Sequence, residues 1–132
     1  MTRTTVLAIL PRVFGVTGLF ALVAVLMPIS WMAGIHRWLG LDQMPSGPVV
    51  EYLARSLSVF YVLFSVLCLV LAGNLERYRP LVRLLGALAA LMGVALVYID
   101  LAAGMPARWT VCEGPGEIAF GGLIFFLARQ DR

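Results

Sequence analysis

Five ionisable residues stand out in a chain that otherwise carries little charge: Glu51, Arg55, Asp100, Glu113 and Glu117. Three of the seven acids fall in one stretch, Tyr98 to Glu117, together with Trp109, Cys112 and two prolines. Carboxylates brought together in an apolar setting hold protons more tightly, which suits proton exchange or capture of a small ligand. A structural alternative stands beside that reading. Glu113 and Glu117 could sit at a helix N-terminus, where the helix dipole favours anions, with Arg55 neutralising Asp100. Metal chemistry is not expected. His36 is the single histidine, Cys68 and Cys112 are the two cysteines, and no CxxC or ligand-spaced cluster exists. No cofactor is expected and no catalytic motif is evident.

The elements that must position these residues follow from composition. The chain has 132 residues, room for one domain over 1–132. It is 61% hydrophobic and 13% charged, with a mean hydropathy of +0.95. A soluble domain has about 25% charged residues, so lipid is the natural solvent here. All ten basic residues are arginine, scattered singly beside apolar runs. That pattern points to membrane topology and away from nucleic acid, which calls for a basic stripe.

Taken in order, the chain predicts an all-α fold: an antiparallel bundle of four membrane helices near 6–28, 49–73, 81–103 and 115–130. Val13 to Ile29 is free of charge and is read as part of an uncleaved first helix rather than a signal peptide, because Pro11-Arg12 splits the apolar region. Trp31, Ile35, Trp38 and Leu39 recur at helical spacing after it. They predict a short helix lying in the interface, with Trp31, Trp38 and later Trp109 as anchors. His36 reads as a solvated surface residue. In the second helix Glu51 and Arg55 are one turn apart, and Ser58, Tyr61, Ser65 and Cys68 extend their face. The stripe is expected to serve helix packing, with a lined cavity as the alternative. Asn74 to Arg83 reads as a tight polar turn. The third helix carries Gly86, Ala90, Gly93, Val97, Asp100 and Gly104 on one face, a small-residue stripe expected to pack on a neighbouring helix.

The fourth helix is expected to begin at Pro115, since Gly114-Pro115-Gly116 breaks the run and proline suits a first turn. From there to Arg129 it would be only about 22 Å long. Glu117 would then lie low at the mouth of the bundle, with Asp100 and Arg55 close by and Arg108 as the fallback partner. Cys68, in the inner half of the second helix, and Cys112, past the outer end of the third, should be too far apart for a disulfide.

Arginines assigned alternately to the two faces give Arg3, Arg12, Arg77, Arg79, Arg83, Arg129 and Arg132 against Arg37, Arg55 and Arg108. The positive-inside rule makes the first face cytoplasmic and puts both termini there. Five acids (Asp42, Glu51, Asp100, Glu113, Glu117) fall on the outer side against Glu76 and Asp131 inside.

Four helices, an acid ending the third and the run G-M-P-x-x-W-x-x-x-E-G-P resemble small bacterial four-helix inner-membrane proteins, and the layout is similar to that of DoxX-like proteins. The resemblance implies the architecture and brings no catalytic motif. The chain is more weakly similar to sterol-isomerase-like four-helix proteins but lacks a histidine beside its acids. Small multidrug transporters use a carboxylate in the first helix, where this chain offers Thr17. The Arg and Asn motifs of glutathione-handling four-helix enzymes have no match. Three functions compete. The first is a non-enzymatic membrane protein, an accessory subunit of a homo-oligomer or larger complex. The second is an isomerase-like binder of a small apolar or lipid ligand, and the third a proton-linked transporter.

Overall fold

A computed structural model describes residues 3–129, and every regular element in that range is an α-helix. Gln130, the last residue of the expected fourth helix, lies outside the described residues, as do Asp131 and Arg132 of the charge count. The helices are α1 (Arg3–Gly18), α2 (Ala21–Leu26), α3 (Ile29–Trp38), α4 (Pro48–Gly73), α5 (Leu75–Ala103) and α6 (Ala107–Leu127). Four stretches are long and apolar enough to cross a membrane: Thr5–Leu26, Pro48–Gly73, Leu75–Ala103 and Ala107–Leu127. The shortest has 21 residues, and a crossing needs about 20. The chain is a multi-pass helical membrane protein.

Two boundaries differ from expectation. The third membrane helix begins at Leu75 instead of near residue 81. Asn74 ends the preceding helix and caps the new one, its side chain accepting from the Arg77 backbone N–H at 3.2 Å. The polar run that follows is therefore helical, and Pro80 lies inside it. The fourth begins at Ala107 instead of Pro115, so Gly114, Pro115 and Gly116 are interior residues. Lipid leaves the backbone no water to bond, so a helix there keeps its ladder through residues that would break it in water. At 21 residues α6 rises about 32 Å, enough to cross where the shorter helix would not.

The surface departs from that of a water-soluble protein. Ser65 is 1% exposed and Asp100 4%, whereas Phe20 is 71% and Leu26 76% exposed. Many large apolar side chains face outward, as suits a lipid surrounding, while small and polar residues such as Ser65 and Asp100 are buried beside an apolar core.

The chain divides into two compact units. One comprises the start of α1, up to Leu10, and everything from Leu71 onward. Its core is Leu7, Leu71, Leu75, Val82, Ile124 and Ala128. Beside it α5 and α6 pack antiparallel along glycines seven apart on both helices. A Cβ at Gly86 would lie 2.7 Å from the Phe125 backbone N and 2.8 Å from the Gly121 carbonyl oxygen. One at Gly93 would lie 2.7 Å from both the Gly114 oxygen and the Ile118 nitrogen. The two backbones touch, and any side chain would force them apart. The small-residue stripe expected to pack on a neighbour does so, on α6.

The other unit is Pro11–Val70. Here Gly15 and Gly18 of α1 meet Ser65 and Leu69 of α4, and Phe14 packs edge-on against Phe64 with ring centroids 5.8 Å apart. Thr17 bonds back to the Val13 and Phe14 carbonyls at 2.9 and 3.1 Å, a geometry that bends helices. Shortly after it, at Leu19 and Phe20, α1 gives way to α2.

Candidate polar site in the membrane helices

The five ionisable residues belong to different units and do different things. In the Pro11–Val70 unit, the helical path breaks at Met27, whose backbone is extended, and at Pro28, which has no N–H. The last carbonyls of α2, at the end of the first apolar span, are thereby left without helical donors. Arg55 supplies the donors. Its guanidinium bonds the Val25 carbonyl and, at 3.2 Å, that of Met27, and it is held from behind by Glu51 at 3.0 and 2.8 Å. A fixed planar fork suits this task, and a positive charge is favourable at a helix C-terminus. Glu51 and Arg55, one turn apart on α4, thus form a clamp on the end of α2. Further along the same helix, Ser58 and Ser65 bond the carbonyls of Ala54 and Tyr61, at 2.8 and 2.6 Å, one turn back. Those hydroxyls are spent on their own helix, and Ser65 and Cys68 are buried. Of the polar stripe of α4, Ser65 packs against Gly18 of α1, whereas Tyr61 is exposed, and the serines bond their own helix rather than, as expected, a neighbour.

In the other unit the α5–α6 pairing decides where the acids lie. Gly86 faces Gly121 and Gly93 faces Gly114, so seven residues further on Asp100 comes level with the start of α6 at Ala107. Asp100 is 4% exposed, and its Oδ2 is buried without a hydrogen-bond partner. Its backbone carbonyl accepts from Gly104 and Met105, closing α5 with Gly104 in the left-handed conformation. Thr110, on the facing helix, is also buried at this end.

Glu117 does not join Asp100. It is the eleventh residue of the 21 in α6, near the middle of that span. The glycine pairing offsets it from Asp100 by about 15 Å along the helix axes. The expectation of Glu117 at the outer mouth depended on a helix starting at Pro115, and it falls with that start. Glu117 is half-buried on the flank of the glycine face, one turn from Glu113. Glu113 accepts a hydrogen bond from the Trp109 indole N–H, so Trp109 is tied to its own helix. Trp31 and Trp38 of α3 are 64% and 83% exposed. His36 Nδ1 lies 3.2 Å from the Asp42 carbonyl oxygen and closes the turn after α3.

Sequence reasoning missed three participants: the Val25 and Met27 carbonyls, Gly15 with Gly18, and the Gly114–Gly121 pair. The last was legible, because its seven-residue spacing repeats that of Gly86 and Gly93. Cys68 is a buried thiol and Cys112 an exposed one. Among the described residues no group of three or more His, Cys, Asp or Glu could hold a metal. The kink between α1 and α2 opens an apolar groove lined by Val16, Phe20, Val23 and Leu26, among others, and none of the five ionisable residues lines it.

No family model matches the chain, and neither a curated protein nor a solved structure is significantly similar to it.

Proposed function

We propose that this chain is a non-enzymatic accessory subunit of a membrane assembly, built as an antiparallel four-helix bundle in a bacterial inner membrane with both termini cytoplasmic, on the DoxX-like layout. The observation that carries this reading is how its polar groups are used. Arg55 and Glu51 hold the end of α2, Ser58 and Ser65 bond their own helix, Glu113 bonds Trp109, and Asp100 is sealed from solvent. Groups committed in this way stabilise a scaffold and are poorly placed to turn over a substrate. Short links such as the single residue Asn74 between α4 and α5 favour antiparallel neighbours. The arginine asymmetry supports the orientation, and exposed Trp31 and Trp38 support an interfacial α3. Reporter fusions after Gln43 and after the C-terminus should report opposite faces, and agreement between them would overturn the topology.

A second reading, binding of a small apolar or lipid ligand, draws support from the unpartnered Asp100 oxygen and from an acid at mid-span in Glu117. Ionisable residues at membrane depth are costly and commonly mark ligand or ion sites. Native mass spectrometry of the chain released from its own membrane separates the two. A complex of defined stoichiometry with a second membrane protein supports the accessory role. A monomer that retains one small molecule, lost in Glu117→Gln or Asp100→Asn, would replace that role with ligand binding.

A further inference from the structure

The clamp on α2 has a consequence for α3. Between Leu26, the end of α2, and Ile29, the start of α3, only Met27 and Pro28 intervene, and both have extended backbones with ψ of 151° and 144°. Two residues of extended chain give a hinge, because no helical hydrogen bond crosses it except those that begin anew at the Pro28 carbonyl. The described residues of α3 include no buried one, so its own packing does little to hold its direction. What crosses the hinge region from outside is Arg55, bonding Val25 on the α2 side and Met27 at the hinge itself.

We propose that Arg55, braced by Glu51, is the latch of a hinge between α2 and α3, setting the angle at which the helix bearing Trp31 and Trp38 leaves the membrane span. The physical argument is one of reach and donor number. One planar guanidinium bridges two carbonyls two residues apart, on either side of Leu26, and still meets a carboxylate, so the backbone at the end of α2 is tied to one point on α4. Lysine would bring a compact ammonium whose three donors rotate freely, so it could bond a carbonyl but would not hold both in a fixed relation as the planar fork does. Glu51 orients the fork without touching the hinge, so its loss should loosen the latch and leave it in place. Trp31, Ile35 and Trp38 lie along one face of α3, so a change of angle there moves a whole aromatic face relative to the bilayer surface. This inference concerns the hinge alone and stands whether the chain is an accessory subunit or a ligand binder.

Hydrogen exchange of the full-length protein in lipid nanodiscs, read by mass spectrometry, tests it. In Arg55→Ala the amides of 27–38 should exchange about tenfold faster or more, with α5 and α6 unchanged, as expected for loss of charge-assisted hydrogen bonds confined to one joint. Arg55→Lys should give a smaller acceleration in the same segment and Glu51→Gln the smallest. Wild-type exchange of 27–38 in Arg55→Ala overturns the latch. Should Arg55→Ala speed exchange in every span, Arg55→Lys decides: acceleration confined to 27–38 supports the latch, and none there overturns it.

Discussion

The α5–α6 seam and the joint of α1 and α2 with α4 hold membrane helices together by opposite means. Along the seam, Gly86 and Gly93 of α5 meet the backbone around Gly121 and Gly114 of α6, a contact made by backbone and small side chains. Both helices are continuous there, and apart from the donor that Pro115 lacks their backbones are satisfied internally and need only approach closely. At the joint, the helix of the first span breaks at Met27 and Pro28, and its freed carbonyls must be answered by Arg55. Glycine serves where the ladder is intact, and arginine where it is broken. Lipid removes the hydrophobic incentive for helices to associate, so each contact must come from close packing or from polar groups that have no better partner.

The sharpest way to break this contrast is to add bulk to the seam. Gly93→Leu would drive a side chain into the backbone of Gly114 and Ile118, and should cost about 3 kcal/mol in a reversible unfolding titration in mixed micelles. Gly116→Ala is the control on the same helix. A Cβ there meets nothing within 4 Å, and the change should stay within about 0.5 kcal/mol. Equal effects from the two variants would sink the seam.

At the joint, Arg55→Ala should lower stability by about 2 kcal/mol, since charge-assisted bonds to two carbonyls are lost. Circular dichroism should still show the long helices, because the loss is confined to the break.

Asp100→Asn sharpens the comparison where the seam ends. Nothing in the described structure holds the Asp100 Oδ2, so replacing a potential charge by a neutral isostere should raise stability by about 1 kcal/mol. A fall in thermal stability instead would mean that a ligand or partner holds that oxygen, and would favour the binding reading.

The smallest expected effect separates the two thiols. An apolar maleimide should label Cys112 in the folded protein and spare Cys68 until the chain is denatured, because one is exposed and the other buried. Equal labelling of both before denaturation would contradict the packing of α4.

Several features of this protein are determined by its sequence alone. Apolar runs of span length between scattered arginines require helices in lipid, because only a closed hydrogen-bond ladder is tolerated there. The Gly86–Gly93 stripe announces a packed face, since a missing side chain repeated on one side of a helix has few other uses. Glu51 and Arg55, four residues apart, announce an ion pair. Other features were decided by tertiary structure. Gly114-Pro115-Gly116 reads locally as a break, yet α6 runs through it, because lipid and the backbone of α5 favour an unbroken helix more than the local residues disfavour one. That continuity moves Glu117 from the end of a helix to its middle and separates it from Asp100. The partners of Arg55 were likewise invisible, because a carbonyl belongs to every residue. Which of them is left wanting depends on where a distant helix breaks.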